Sequence, residues 1–206
     1  EANSREKQLY KISYDGKNRT RITTGRGYHD VWISNDKRFI FDEFSSVNTP
    51  PVYQSMSVTG KDQRKLIENK ELKDRLQDFP VPDVNFFTVR ANDSMTMNGW
   101  IIRPYQNPRA QLPLLLYVYG GSTKQEAQDR WTDRFTLTMR WLANQGYAVA
   151  CIDPRGTPGK GAAFRKCTYK APGDVEISDL LTVKSYLSRN YRIDSSQVAV
   201  MGWSYG

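Results

Sequence analysis

Histidine is nearly absent from this chain: 206 residues contain one, His29. Cysteine occurs twice, at Cys151 and Cys167, and the pair fits no metal-ligand spacing. No metal and no cofactor is therefore expected. Cys151 lies in an apolar run and reads as a small buried hydrophobe, and a disulfide to Cys167 has no support. Long hydrophobic runs are missing too. The strongest candidate, Leu114 to Val118, is strand-sized, against the roughly 20 residues a membrane-spanning helix requires. The chain opens without Met and without a charged-then-apolar leader, so a targeting segment is expected to have been removed or to lie outside these residues. The net charge is +8, yet the 30 Lys and Arg are interleaved with 22 acids and never form a block of five like charges. That pattern reads as solvated surface, not as a nucleic-acid footprint.

What is present is globular: 38% hydrophobic and 25% charged, enough for one ordinary domain and part of another. The first third repeats loosely. Leu9-Tyr10-Lys11-Ile12-Ser13, a turn at Asp15-Gly16-Lys17 and Arg21-Ile22-Thr23 predict a hairpin. Val52-Tyr53-Gln54-Ser55-Met56, a turn at Thr59-Gly60-Lys61 and Lys65-Leu66-Ile67 predict another. Between them, His29 to Ser34 and Phe39 to Asp42 flank an Asn35-Asp36-Lys37 turn. The spacing from Tyr10 to Tyr53 is that of a four-stranded propeller blade. Residues 1–67 are thus expected to be a terminal propeller segment of one to two blades, too small to close a propeller.

Residues 68–84 read as a linker, with a short helix at Leu72 and Leu76 and an extended Phe79-Pro80-Val81-Pro82. The pattern then changes. Phe86 to Arg90 and Asn98 to Ile102 predict a hairpin around Asn92-Asp93-Ser94. Leu112 to Tyr119 is almost continuously apolar, as befits a strand covered on both faces. Phe135, Met139 and Leu142 share a helical face that Gly146 ends, and Tyr147 to Ile152 is the next strand. Ile177, Leu180, Leu181 and Leu187 mark a helix opening near Asp174, before a strand at Gln197 to Met201. The alternation predicts an α/β domain with a mostly parallel, doubly covered sheet over residues 85–206.

That last strand runs into Gly202-Trp203-Ser204-Tyr205-Gly206, the Gly-x-Ser-x-Gly of a nucleophile elbow. Its serine must stand on a turn too tight for most side chains, and glycine two places either side removes the colliding β-carbons. By itself the motif arises by chance in about one chain in fifteen of this length. Its place after a strand in this domain makes it specific. Leu114-Leu115-Leu116-Tyr117-Val118-Tyr119-Gly120-Gly121, Asp153-Pro154-Arg155-Gly156-Thr157 and Gly202-Trp203-Ser204-Tyr205-Gly206, in this order, resemble the prolyl oligopeptidase family. Trp and Tyr beside the serine look like its dipeptidyl peptidase IV branch, and Phe164 to Tyr169 is similar to bacterial members. The resemblance runs from about residue 8 to Gly206 and implies a propeller feeding an α/β-hydrolase domain. Two departures stand out. Ser122-Thr123-Lys124 replaces a usual Pro and small residue, and Leu180 stands where Gln is usual.

The chemistry follows from the site. Ser204 is expected to attack a peptide carbonyl and form an acyl-enzyme that water clears. The oxyanion needs fixed donors, each worth ~3 kcal/mol or somewhat more. One is the backbone N–H of Tyr205, and the resemblance supplies the second as the Tyr119 hydroxyl. Tyr205 and Tyr119 are also expected to wall the substrate pocket, with Trp203 as packing. Asp153 and Arg155 are expected to pin a loop by an ion pair. Glu176 and Asp179 are expected to be exposed acids favouring a helix dipole. In α/β-hydrolases an Asp or Glu and then a His follow the serine, and here only Tyr205 and Gly206 do. His29 precedes the serine, is rejected as the base and reads as a strand-edge or loop residue. The 206 residues alone are thus expected to be inactive, with the activity belonging to a full-length parent.

By resemblance, that activity is a serine exopeptidase releasing dipeptides, with Pro or Ala penultimate, from peptides with a free N-terminus. The paired glutamates with which the family reads that terminus find no counterpart here, so dipeptide specificity rests on branch membership. Alternatives are a tripeptidyl or acylaminoacyl peptidase of the same family, or a silent propeller interaction protein. A periplasmic or secreted, cell-envelope location is what the resemblance suggests, and a homodimer of the parent stays open.

Overall fold

The computed structural model describes residues 3–91, 95–105 and 111–206. Two compact units emerge: Glu1–Phe79 with Gln128–Asp133, and Pro80–Ala127 with Arg134–Gly206. Among the described residues, no helix is long and apolar enough to cross a membrane.

In the first unit, β1 (Tyr10–Ile12) and β2 (Arg19–Arg21) form the short hairpin. Strands β3 (Tyr28–Ile33), β4 (Phe39–Ser46), β5 (Thr49–Ser57) and β6 (Arg64–Ile67) form a four-stranded antiparallel meander in chain order. Helix α1 (Lys70–Gln77) follows. Alternation sets the buried face: Pro50, Val52, Gln54 and Met56 of β5 are buried while their neighbours are half-exposed. Ile22, Ile40 and Met56 form an apolar cluster. The sheet also buries a polar chain. Asp42 Oδ2 accepts from Gln54 Nε2 at 2.7 Å and lies 2.9 Å from His29 Nδ1, and Gln54 Oε1 accepts from Gln63 Nε2 at 2.6 Å. His29 lies in β3, an edge strand of this sheet, and is 1% exposed there rather than in a loop. Its partner Asp42, on the next strand, is what lets it be buried.

The Gln128–Asp133 excursion belongs with this unit through its own bonds. Asp129 accepts the Val47 N–H at 2.9 Å, and Arg130 meets Asp30 at 2.6 Å. Burial raises the Asp129 pKa.

The second unit is a five-stranded sheet ordered β11 (Ile193–Gly202), β9 (Leu112–Val118), β10 (Ala148–Asp153), β8 (Thr96–Ile102), β7 (Val84–Arg90). Strands β11, β9 and β10 are parallel, whereas β8 is antiparallel to β10 and β7 to β8. The sheet is therefore mixed, not mostly parallel as expected. The cause is the predicted hairpin, which does not stand apart but pairs Trp100 with Cys151 and Ile102 with Val149, extending the sheet. The hairpin turn expected at Asn92-Asp93-Ser94 lies outside the described residues.

Both faces of the sheet are covered over β8, β9 and β10, whereas β11 is exposed along most of its length and so is not the doubly covered strand expected. Met97, Ile101, Leu114, Leu116, Ala150 and Ile152 pack with Phe164 of α3 (Gly161–Lys166) and with Val183 and Leu187 of α4 (Asp174–Tyr191). Residues of the other parity point to α2 (Asp133–Asn144), whose Phe135 meets Trp100 at 6.3 Å and Tyr117 at 4.7 Å between ring centroids. Strand β10 is buried along its whole length, Cys151 included, and burial raises that thiol's pKa. Neither Cys151 nor Cys167 is in a disulfide.

Candidate active site

The elbow is where two strands end together. Strand β11 runs parallel to β9 up to the pair Gly202 and Val118, so the next residues of both strands meet at one sheet edge. There the Trp203 N–H donates to the Val118 carbonyl at 3.3 Å and the Gly206 N–H to the Trp203 carbonyl at 3.1 Å. Ser204 is exposed and left-handed at φ +61°. For a residue with a β-carbon that conformation stores on the order of 1–3 kcal/mol. The flanking glycines are sterically required. A Cβ on Gly202 would lie 2.3 Å from the Gly206 carbonyl carbon, and one on Gly206 would lie 2.1 Å from the Val118 oxygen. Both obstacles are backbone, which no rotamer change relieves.

Tyr119 follows β9 directly, and Tyr205 follows Ser204. Gly121 lies between their rings: a Cβ there would sit 3.0 Å from Tyr119 Cε1 and 3.1 Å from Tyr205 Cβ. The sequence-predicted residues Ser204, Tyr205 and Tyr119 thus gather at the common end of β9 and β11. Tyr119 is half-buried, and its Oη lies 2.8 Å from Thr123 Oγ1. Lys124 Nζ stands 5.8 Å from the Tyr119 ring centroid.

Tyr205 Oη donates to Glu176 Oε1 at 2.9 Å, and this bond to a carboxylate raises the phenol's pKa. The other Glu176 oxygen accepts the Gly173 N–H at 3.0 Å, closing the first turn of α4. Glu176 is 7% exposed and Asp179, one turn on, 1% exposed. These acids were expected in solvent; both are buried because each has dedicated donors. Asp179 takes Arg155 Nη2 at 2.7 Å, Nε at 3.0 Å and the Arg155 backbone N–H at 2.8 Å. Arg155 therefore does pin its loop by an ion pair. Asp153 acts otherwise, accepting the Glu126 and Ala127 N–H groups at 2.8 and 2.9 Å. Burial pushes its pKa up to about 7 against the pull of those two donors.

A cavity of about 360 Å³ opens beside this cluster, lined by Tyr119, Gly120, Glu176, Leu180, Tyr205 and Gly206 among others. Leu180, one of the two departures from the family pattern, is thus an apolar wall of it. His29 belongs to the first unit, in β3. Sequence reasoning missed Glu126, whose Oε1 accepts from Lys124 Nζ at 2.6 Å and from Tyr117 Oη at 3.3 Å, and missed Thr123 as a partner of Tyr119. The signal for the latter was the Ser122-Thr123-Lys124 departure itself.

Comparison with known proteins gives the following similarities. Residues 133–206 match the model of the prolyl oligopeptidase family, and residues 1–51 match that of the dipeptidyl peptidase IV N-terminal region. Human dipeptidyl peptidase 8 is 28% identical over 209 residues, covering 98% of this chain and 23% of its own length. A probable dipeptidyl peptidase 4 of Trichophyton verrucosum is 28% identical over 211 residues, covering 98% of this chain and 28% of its own. The crystal structure of Porphyromonas gingivalis dipeptidyl peptidase 4 matches with a TM-score of 0.90 at 28% identity, over 100% of this chain and 29% of that one. The chain spans about a quarter of the length of the curated relatives it matches.

Proposed function

Since the chain belongs to the prolyl oligopeptidase family of serine peptidases, in its dipeptidyl peptidase IV branch, we propose that Ser204 is the nucleophile of an exopeptidase releasing N-terminal dipeptides. The penultimate residue is Pro or Ala, and the activity is that of the complete polypeptide carrying these residues. The observation that carries this reading is the left-handed Ser204 between two glycines whose backbones touch. A plain Gly/Ser turn has no need of that strain.

In this mechanism Ser204 Oγ adds to the scissile carbonyl carbon while its proton passes to a general base. The carbonyl oxygen becomes an oxyanion held by the Tyr205 N–H and the Tyr119 hydroxyl. Collapse expels the amine with a proton and leaves the acyl-enzyme, which water hydrolyses in the second half. Base and acid are assigned to residues outside these 206, since the chain spans about a quarter of its relatives' length and in α/β-hydrolases the Asp or Glu and the His follow the serine. A polypeptide of these 206 residues alone is expected to hydrolyse nothing. The cavity walled by Tyr119, Tyr205 and Leu180 suits a compact apolar side chain such as proline. A periplasmic or cell-envelope location fits this reading.

The test uses the complete polypeptide with fluorophosphonate and three chromogenic substrates. One phosphonyl adduct on Ser204, lost in Ser204→Ala, together with preferred cleavage of Gly-Pro anilide, is the expected result. Preference for Ala-Ala-Pro or acetyl-Ala anilide would replace the dipeptidyl reading with a tripeptidyl or acylaminoacyl one. An unlabelled Ser204 would refute catalysis altogether.

A further inference from the structure

Thr123 occupies a position that the site so far leaves unused. Its Oγ1 lies 2.8 Å from Tyr119 Oη, and the two hydroxyls share one hydrogen bond in which either can donate. A phenol has a single proton, whereas its oxygen can also accept. If Tyr119 gives its proton to Thr123, nothing remains for a substrate oxygen. If Thr123 donates, the phenolic proton is released outward, and the accepted bond polarises it, strengthening the donor by about 10–30%.

The negative charge of the tetrahedral oxyanion decides between these states. A charged acceptor draws the phenolic proton about twice as strongly as a neutral hydroxyl does. Thr123 meets that demand by turning about its own Cβ–Oγ1 bond, with no movement of the backbone. The loop that carries it is fixed at its far end. Asp153 holds the Glu126 N–H, and the Glu126 carboxylate in turn holds Lys124 at 2.6 Å beside the Tyr119 ring.

We propose that Thr123 is a positioning residue for the reaction: its hydroxyl donates to Tyr119 Oη in the transition state and so commits the phenolic proton to the oxyanion. The inference rests on Tyr119 being the second oxyanion donor. Because the bond matters chiefly when charge develops, it acts on kcat more than on KM.

The experiment is a double-mutant cycle in the complete polypeptide, read as kcat and KM on Gly-Pro anilide. Thr123→Val keeps the shape and removes the hydroxyl. It is expected to lower kcat about three- to ten-fold, the range of one ordinary hydrogen bond, with KM nearly unchanged. Thr123→Ser is expected to restore kcat. In a Tyr119→Phe background, Thr123→Val is expected to have no further effect. An equal loss in that background, or no loss in the single variant while Tyr119→Phe is slow, would overturn the role of Thr123 alone. Wild-type turnover by Tyr119→Phe would overturn the reading of Tyr119, and this inference with it.

Discussion

Replacing Asp179 with alanine tests the scaffold under the site more severely than any change at its surface. Asp179 is 1% exposed and Arg155 11% exposed at their side chains. Its carboxylate takes the Arg155 backbone N–H at 2.8 Å, Nε at 3.0 and 3.1 Å and Nη2 at 2.7 Å. Removing it takes the buried carboxylate from a guanidinium in a nearly dry setting, and breaking a buried pair from one side costs about 3–5 kcal/mol. At 2–4 °C per kcal/mol for a chain of this size, the unit's melting point falls by roughly 6–20 °C. The assay is hydrogen exchange of the α4 and β10 amides, which reads this unit by itself. The compensating variant Arg155→Met with Asp179→Leu removes both charges, so the desolvation penalty vanishes. It still strips the Arg155 N–H of its acceptor, a residual cost of about 1–3 kcal/mol. Less than about 1 kcal/mol lost in Asp179→Ala, or a double variant as unstable as the single one, would refute the reasoning.

Other changes probe other parts. Gly206→Ala places a Cβ 2.1 Å from the Val118 oxygen of a paired strand, so phosphonylation of Ser204 should fall at least about a hundredfold while far-ultraviolet circular dichroism is retained. Asp153 has its pKa raised from 3.8 to about 7 by burial. The fold therefore prefers the neutral acid: its contribution is complete below about pH 4 and is lost as pH rises through 7, at most about 4 kcal/mol. Urea midpoints between pH 5 and 8 should show that decline, and Asp153→Asn should flatten it. In the first unit, Gln54→Leu removes the 2.7 Å donor of the fully buried Asp42 and is expected to cost about 1–3 kcal/mol, measured as the shift in urea midpoint.

How legible these features were differs with the range of the forces behind them. Period-two burial along β5 and the apolar runs of β9 and β10 are local, and the strands appear where the sequence placed them. The hairpin of β7 and β8 was equally plain, but its edge-to-edge join with β10 is a pairing between distant segments, which no local pattern encodes. Hence the expectation of a mostly parallel sheet and the finding of a mixed one. The short α3 went unseen because the six residues Gly161–Lys166 span fewer than two turns, too few to show a period.

Helix α4 shows why the supporting part of the site was harder to read than its centre. The elbow is legible because its constraint is steric, and glycine is the residue that satisfies it. The face of α4 was inferred from Ile177, Leu180, Leu181 and Leu187, yet the helix buries Glu176, Asp179, Val183 and Leu187. Ile177 and Leu181 are 58% and 59% exposed. The two sets lie on neighbouring stripes, and apolarity alone favours the first. What turns the helix is that each acid finds a donor from elsewhere in the chain, Tyr205 for Glu176 and Arg155 for Asp179, while the Gly173 bond to Glu176 is local to the helix's own N-cap. A carboxylate buried without donors would cost several kcal/mol, and one with them fixes a rotation that an apolar stripe leaves loose. The acids thus do at the base of the site what the glycines do at its apex. Glu176 holds Tyr205 and Asp179 holds the loop after β10, so the groups assigned to the oxyanion rest on elements whose orientation is set by polar bonds rather than by apolar contact.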